Sequence, residues 1–417
     1  VGGDFERRLA PSRGTDFREG TPLYHNQEGV LAADRWTVIG EGETVGRLWS
    51  GIAFAAHPLV AFRDGGTFEA PDRRDALLET SDVRLHKGYV KLGLADTEIE
   101  VGRDSLWWGP AQRASLILSN EAAPLDLVKL SNPEPFLLPW ILRYLGPIKG
   151  GVFGARLDLQ RAISSVRDYD RLNPYLVGMR VQLKPLPWVE LGLSRTIFFR
   201  TTRSDGSRLS ARDFLKILAG INLEGPNDTS NQLAGYDVLV RLPFLRNTEV
   251  YVQSIGEDEA GAIPTKESYI GGVYIPRLLS DASVDFRVEG TITHEVYGLS
   301  TPFPEGYVYK RLSLGSPAGS DAMELWGRAT WDATPEITFA LEGQYWERAV
   351  PLSFEAPPVG ASADETSYGG KAEVSWWAAD WLQATFEIGA ERIDNFNFRE
   401  GRGRTNVLAA GGLRLDF

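Results

Sequence analysis

Apolar residues recur at every second position over segments of about ten residues along this chain, the period of a strand with two unlike faces. Within 381–391, Leu382, Ala384, Phe386, Ile388 and Ala390 share one face, while Gln383, Thr385, Glu387 and Glu391 share the other. Within 336–346, Ile337, Phe339, Leu341 and Tyr345 alternate with Glu336, Thr338, Glu342 and Gln344. Met323, Leu325, Ala329 and Trp331 alternate with Glu324, Arg328, Thr330 and Asp332. The pattern returns as Val284, Phe286, Val288 and Ile292 against Asp285, Arg287 and Glu289, and as Tyr368, Ala372, Val374 and Trp376 against Lys371, Glu373 and Ser375. The second face carries full charges.

A secreted β-sandwich alternates in the same way. The spacing of the breaks separates the two folds. Tight connections at 184–187, 243–247, 332–335 and 378–380 alternate with long polar stretches at roughly 104–147, 199–230, 256–266, 294–321, 347–366 and 394–404. Short turns on one rim and long loops on the other predict an all-β fold, a transmembrane antiparallel β-barrel with short periplasmic turns and long extracellular loops. In lipid every backbone amide must be paired internally, which a closed sheet achieves without helices. The alternating segments number about 16 to 18, and termini on one rim require an even number. Trp107-Trp108, Trp188, Trp331, Tyr345-Trp346, Trp376-Trp377 and Trp381 fall near strand ends, where an interfacial girdle places aromatics. Val407, Ala409, Gly411, Leu413, Leu415 and Phe417 alternate to a C-terminal aromatic, which resembles the signal read by the outer-membrane insertion machinery.

Composition narrows the function. With 44 Lys plus Arg against 56 Asp plus Glu the net charge is −12, and no basic block offers phosphate contacts for nucleic acid. The absence of cysteine removes disulfides, thiolate metal sites and cysteine catalysis. The most apolar stretch, 49–62, is interrupted by His57 and Pro58, so no helix spans a bilayer. The start of the chain lacks a basic n-region and an apolar h-region, so any secretory signal is expected to have been removed. Residues 1–34 are expected to form an N-terminal periplasmic segment and 35–417 the barrel.

Gly102-Arg103-Asp104-Ser105-Leu106-Trp107-Trp108-Gly109-Pro110 is followed by Ser115-Leu116-Ile117-Leu118-Ser119-Asn120 and Pro124. Further along come Glu190-Leu191-Gly192-Leu193-Ser194-Arg195-Thr196, Asn231-Gln232-Leu233-Ala234-Gly235-Tyr236-Asp237 and Ile255-Gly256-Glu257-Asp258-Glu259-Ala260-Gly261. In this order the stretches resemble the capsule-assembly Wzi family of outer-membrane proteins, across most of the chain. The resemblance implies a barrel of about 18 strands, largely occluded by its outer loops. It also implies a place in the outer membrane of a Gram-negative bacterium and a role in holding or organising capsular polysaccharide. Members typically carry an N-terminal helical bundle on the periplasmic side. Here the first 34 residues are polar, punctuated by Gly and Pro and without a convincing amphipathic helix, so that element is expected either to be absent or to have been trimmed from this sequence, and its absence would leave the periplasmic mouth less blocked.

Sugar recognition needs planar aromatic or guanidinium faces and fans of hydrogen-bonding groups. Arg103, Asp104, Trp107, Trp108, Gln112, Arg113 and Asn120 supply them, although the Trp pair also suits a rim girdle and Arg103 with Asp104 a structural ion pair. A second cluster, Arg195, Arg200, Arg203, Arg208 and Arg212, suits an anionic sugar or the phosphates of neighbouring lipopolysaccharide. The acidic run Glu257-Asp258-Glu259 offers oxygen ligands to a divalent cation, but such runs are more often solvated loops or partners of a plug, and no metal site is assigned. Gly2-Gly3, Gly271-Gly272 and Gly411-Gly412 lack the context of a nucleotide loop, and no cofactor is expected. The histidines are His25, His57, His86 and His294; His294-Glu295 is best placed for a rim hydrolase but has no nucleophile elbow around it.

The expected function is therefore non-enzymatic attachment or export of capsular or extracellular polysaccharide from the outer membrane. Outer-membrane lipid and lipopolysaccharide are expected neighbours, with polysaccharide export proteins as further candidate partners and no nucleic acid. The alternative is a porin or polymer-export pore, which charged inward faces such as Arg287, Glu289, Glu342, Glu387 and Glu391 permit.

Overall fold

A computed structural model describes residues 2–3, 27–30, 36–64, 81–157, 174–203, 206–218, 229–260, 263–279, 283–300, 303, 306–310, 312–350 and 361–416. The expected N-terminal segment 1–34 lies outside the described residues apart from 2–3 and 27–30. The strands are β1 (Gly2–Gly3), β2 (Trp36–Glu41), β3 (Thr44–Trp49), β4 (Ile52–Asp64), β5 (Ser81–Leu94), β6 (Thr97–Asp104), β7 (Leu125–Ser131) and β8 (Ile148–Arg156). They continue as β9 (Pro174–Leu186), β10 (Val189–Arg200), β11 (Ser230–Leu242), β12 (Thr248–Gly256), β13 (Asp258–Ala260), β14 (Ile263–Thr265), β15 (Ser268–Ile275) and β16 (Val284–Ile292). The last are β17 (Val308–Tyr309), β18 (Leu312–Ser313), β19 (Ala322–Asp332), β20 (Ile337–Arg348), β21 (Glu365–Ala379), β22 (Leu382–Asp394) and β23 (Arg404–Leu415).

Nineteen of these strands form one antiparallel sheet in which neighbours in sequence are neighbours in space. Because β2 and β3 pair with the two halves of β4, the 19 strands fill 18 positions around the barrel. The seam between β23 and β2 is spanned by β1, through Gly2↔Ala409, Gly3↔Leu408 and Gly2↔Trp36. Connections at 50–51, 95–96, 187–188, 243–247, 333–336 and 380–381 lie on one rim together with 132–147 and 276–283, and the remaining connections lie on the other. The stretch 104–147, read as one loop, is two connections separated by β7, and the second returns along the short-turn rim.

Each strand separates two environments. In mid-barrel Leu341 pairs with Ala372 and Ala329, all pointing out, and Leu341 is 64% exposed. Val83, Val101, Val128, Leu193, Leu325, Ile388 and Leu413 are exposed in the same sense. A continuous apolar belt of this extent is incompatible with water and matches the hydrocarbon-facing band of a membrane barrel. Trp49, Trp140, Trp188, Trp331, Trp376 and Trp381 are exposed near the short-turn rim, while Tyr236, Tyr269 and Tyr368 are exposed toward the long-loop rim. This is an aromatic girdle at each interface. Trp107, Trp108 and Trp346, expected in that girdle, are instead turned inward: Trp108 packs edge-on to buried Phe153 at 5.4 Å, and Trp346 is buried.

The apolar core lies inside the barrel. The connections 105–124 and 293–321 fold back into the lumen, where Leu116, Ile117, Leu118, Tyr297, Phe303, Tyr307 and Leu314 pack against inward residues Phe153, Leu176, Phe198 and Leu233. On this side of the barrel the inward face is apolar because its neighbour is a plug. A second, separate cluster sits outside the wall. The loop 201–229 carries α1 (Ala211–Leu218), started by Ser210, whose Oγ accepts from the Asp213 N–H at 3.1 Å. Its Phe214, Ile217 and Leu218 cover the outward residues Tyr175, Val177, Met179, Ile197 and Phe199.

A charge placed in the outward belt should be costly. Leu341→Arg is expected to destabilise the folded barrel by about 2–4 kcal/mol, the range for Arg near the bilayer midplane, measured by reversible unfolding from lipid vesicles. A change under about 0.5 kcal/mol, within the range of an ordinary surface substitution, would show that Leu341 does not face hydrocarbon.

Candidate functional site

The loop 105–124 enters the lumen at Trp107-Trp108-Gly109. Gly109 has φ +145°, and an added Cβ would lie 2.9 Å from the Gln253 side-chain nitrogen, so the chain can turn there only without a side chain. Gln253, on β12, then clamps the loop on both sides of the turn: its Nε2 donates to the Trp108 carbonyl at 2.8 Å and its Oε1 accepts from the Leu116 N–H at 2.9 Å.

Arg113 forms the junction between loop and wall. It is 7% exposed. The backbone N–H groups of Gln112 and Arg113 both donate to the Glu289 carboxylate at 2.8 Å, on β16. The guanidinium donates from Nε to Glu324 on β19 at 2.8 Å and from Nη2 to the Gln344 amide oxygen on β20 at 2.7 Å. Glu289 also accepts from the Tyr251 hydroxyl at 2.5 Å, and Tyr251 in turn accepts from Arg287 at 2.8 Å. A buried charge is tolerable only with such a set of partners.

The second loop locks the first from above. Tyr297 donates to the Leu116 carbonyl at 2.5 Å and Tyr307 to the Ile117 carbonyl at 2.9 Å. Burial raises both phenols above their ordinary range, so both remain protonated donors. Glu257, from the acidic run, accepts from the Gly298 N–H and so anchors this second loop. His294 is spent in the same loop: its Nδ1 accepts from the Val296 N–H at 3.3 Å. A third strand of chain, residues 27–30, docks where the plug loop ends, with the Glu28 N–H donating to the Asn120 carbonyl at 2.7 Å. Burial works to raise the Glu28 carboxyl, but hydrogen bonds from His86 and Lys87 reverse this and hold it at about 2.

Beneath the plug, toward the short-turn rim, lies a cavity of about 770 Å³. The plug supplies Trp107, Pro110, Ala111, Gln112 and Asn120; the wall supplies Tyr274, Asp285, Arg287, Arg328 and Thr330. The Arg287 guanidinium stands 4.1 Å above the Tyr274 ring centroid. Arg328 is ion-paired with Glu342 and Glu373, and Lys371 with Glu387 at 3.1 Å, continuing a charged lumenal ladder around the wall. Asn120 Oδ1 has no hydrogen-bond partner among the described residues.

The structure separates the sequence-derived candidates. Trp107, Gln112 and Asn120 meet at the cavity, and Trp108 and Arg113 lie within the plug. Asp104 accepts from the Ser105 N–H at 2.8 Å where the loop leaves β6. Arg103 points away from the lumen, on the outer wall, and pairs in bidentate fashion with Asp126 at 2.7 and 2.8 Å rather than with Asp104. Arg195 also lies on the outer face, donating to Gln232. Arg200 ends β10 at the long-loop rim, and Arg203 ties the following loop to α1 through Asp213 at 2.6 Å. Arg208 precedes that helix and Arg212 lies in its first turn, and both are exposed. Tyr274, Asp285 and Thr330 were not singled out as binding residues. Their signal is an inward parity shared with Arg287 and Arg328, invisible until the loop that faces them is known.

The junction gives a direct expectation. Glu289→Ala leaves two buried N–H donors and a phenol without their acceptor and should cost about 3–5 kcal/mol, while Glu289→Gln keeps one acceptor oxygen and should cost less. In hydrogen-exchange mass spectrometry, amides of 108–119 should lose protection in Glu289→Ala while those of the wall strands keep theirs. Unchanged protection of 108–119 would show that Glu289 does not hold the plug.

Comparison with known proteins places this geometry. A family profile described as capsule assembly protein Wzi matches residues 8–408. An uncharacterized 55.8 kDa protein in the cps region of Klebsiella pneumoniae is 27% identical over 179 residues, which span 42% of this chain and only 33% of that relative. Among solved structures, Wzi of Escherichia coli, an outer-membrane carbohydrate-binding β-barrel involved in group 1 capsule assembly, aligns with 91% of this chain and 84% of its own at a TM-score of 0.66 and 18% identity. Pseudomonas aeruginosa OprD aligns with 91% of this chain and 90% of its own at a TM-score of 0.51 and 10% identity. These structural likenesses bear on the barrel fold. Because the profile match runs along nearly the whole length, the chain belongs to the capsule-assembly Wzi family.

Proposed function

We propose that this barrel is a non-enzymatic, polysaccharide-binding mount in the outer membrane of a Gram-negative bacterium, acting in the attachment or export of capsular or extracellular polysaccharide. The observation that carries the reading is the packed lumen. Two loops with an apolar core and a buried charge junction occupy the space through which a porin conducts, which favours holding a polymer over passing one. The family supports the same reading, since its Escherichia coli member is a carbohydrate-binding barrel involved in capsule assembly.

The cavity under the plug is the sugar site in this proposal. Its volume of about 770 Å³ falls in the range of small-ligand pockets. Trp107 and Tyr274 offer aromatic surface to sugar C–H faces, while Gln112, Asn120, Asp285 and Thr330 offer hydrogen bonds to hydroxyls. Arg287 and Arg328 add guanidinium groups suited to a uronate or another acidic substituent. The site needs no metal and no nucleophile. The histidine best placed for hydrolysis, His294, caps its own loop instead.

Trp107→Ala and Tyr274→Ala should each weaken binding of fluorescently labelled capsular polysaccharide to the detergent-solubilised barrel by about tenfold or more, as for truncation of buried aromatic anchors. Both variants should also retain less polysaccharide at the cell surface. If both bind the labelled polymer as the parent does, the sugar site lies elsewhere on the barrel.

A further inference from the structure

The cavity under the plug is closed on one side and wet on the other. Toward the long loops it meets the plug core, where Leu116, Ile117, Tyr297, Tyr307 and Ala318 are at most 1% exposed. The inward wall residues at that height, Thr291, Thr293, Trp346 and Ser367, are buried as well. Toward the short-turn rim exposure rises with each inward step of the strands. The Glu289 and Glu324 side chains, which hold Arg113, are 1% exposed. One step down, Arg287 and Arg328 stand opposite each other at 15% and 24%. The next row runs Asp285↔Thr330↔Ala340↔Glu373, and Glu373 is 29% exposed. Asp285 and Tyr274 are each one residue from the end of their strand and Thr330 is two, beside the short-turn connections 276–283 and 333–336. Trp107 forms part of the roof, its Nε1 tied to the Ala111 carbonyl at 3.0 Å.

Among the described residues, therefore, water reaches the cavity groups from the short-turn side. A ligand arriving through the long loops would have to part a packed core and break the Tyr297 and Tyr307 hydrogen bonds to the loop 105–124. A ligand arriving from below meets half-exposed polar groups and displaces only water. Short turns of outer-membrane barrels face the periplasm. We propose that the cavity is loaded from the periplasm: its ligand is a polysaccharide chain presented on the inner side of the outer membrane, before that chain joins the surface layer. The plug is the roof against which the arriving chain stops, and Trp107 and Gln112 are the first plug groups it touches. The proposal rests on the reading of this cavity as the sugar site and adds the side from which the polymer comes. It places the barrel after polymerisation and before display, on a finished or growing chain still within the periplasm.

The chain has no cysteine, so single substitutions report cleanly. Three serve: Thr330→Cys inside the cavity, Asp332→Cys on the exposed short-turn rim below it, and Glu400→Cys on the exposed long-loop rim. The first measurement is reaction with a polyethylene-glycol maleimide too large to cross the outer membrane, in cells that make no capsular polysaccharide. Glu400→Cys should react on intact cells, and Thr330→Cys only after the outer membrane is permeabilised. Reaction of Thr330→Cys on intact cells, or none after permeabilisation, would overturn the proposal whatever the sugar does. The second measurement is binding of fluorescently labelled capsular polysaccharide to the detergent-solubilised barrel before and after modification. The attached polymer should weaken binding about tenfold or more at Asp332→Cys and leave it unchanged at Glu400→Cys. Loss at Glu400→Cys alone would mean loading from outside and would overturn the proposal. Binding unchanged in both, with Thr330→Cys reached only from the periplasm, would overturn it at a different point, by showing that the cavity is not the sugar site.

Discussion

Arg113 cannot be where it is unless the strands around it are closed into a wall. Its guanidinium and its backbone reach Glu289, Glu324 and Gln344, which sit on three consecutive strands of the sheet, β16, β19 and β20. Each of those side chains points inward by the two-residue period of its strand. A shift of one residue in any of the three would turn the partner outward and leave a buried cation uncompensated, so the junction fixes the register of the wall as well as the path of the loop. The plug and the barrel therefore specify each other.

The same period explains why the molecule is built inside out. Its large apolar rows face outward, its charges face inward, and its packed core is supplied by loops. That arrangement was legible where inside and outside differ in the ordinary way. The strands carrying Leu341 and Ile388 outward with Glu342 and Glu391 inward are clear from alternation, and the final strand to Leu415 likewise. Alternation misled at β7, where Leu125 and Leu127 point inward against the plug and Asp126 points outward to meet Arg103. The usual polarity is reversed over 125–127, and a seven-residue strand disappeared into an apparent loop.

The candidate site was legible in part, for a related reason. Trp107, Gln112 and Asn120 were recognisable as a cluster because they lie close together in sequence. Their counterparts Tyr274, Asp285 and Thr330 come from strands more than a hundred residues away, and only the inward folding of the plug selects them from all the other lumenal residues. The arginines show the converse failure. Arg103 is next to Asp104 in sequence, yet the strand period sends the two to opposite sides of the wall, so the pairing runs across to Asp126 instead. The two faces of the same strands therefore differ in kind, with polar and charged groups lining the lumenal cavity and the Arg103–Asp126 pair on the outer wall.

A mount with a locked plug and a pore with charged walls differ most plainly in ion flow. The direct measurement is single-channel recording of the purified chain in a planar bilayer at neutral pH. A filled and hydrogen-bonded lumen calls for silence, broken at most by rare short openings. Steady conductance of the size shown by general porins would mean that the two loops do not occupy the lumen in the membrane, and would contradict the account.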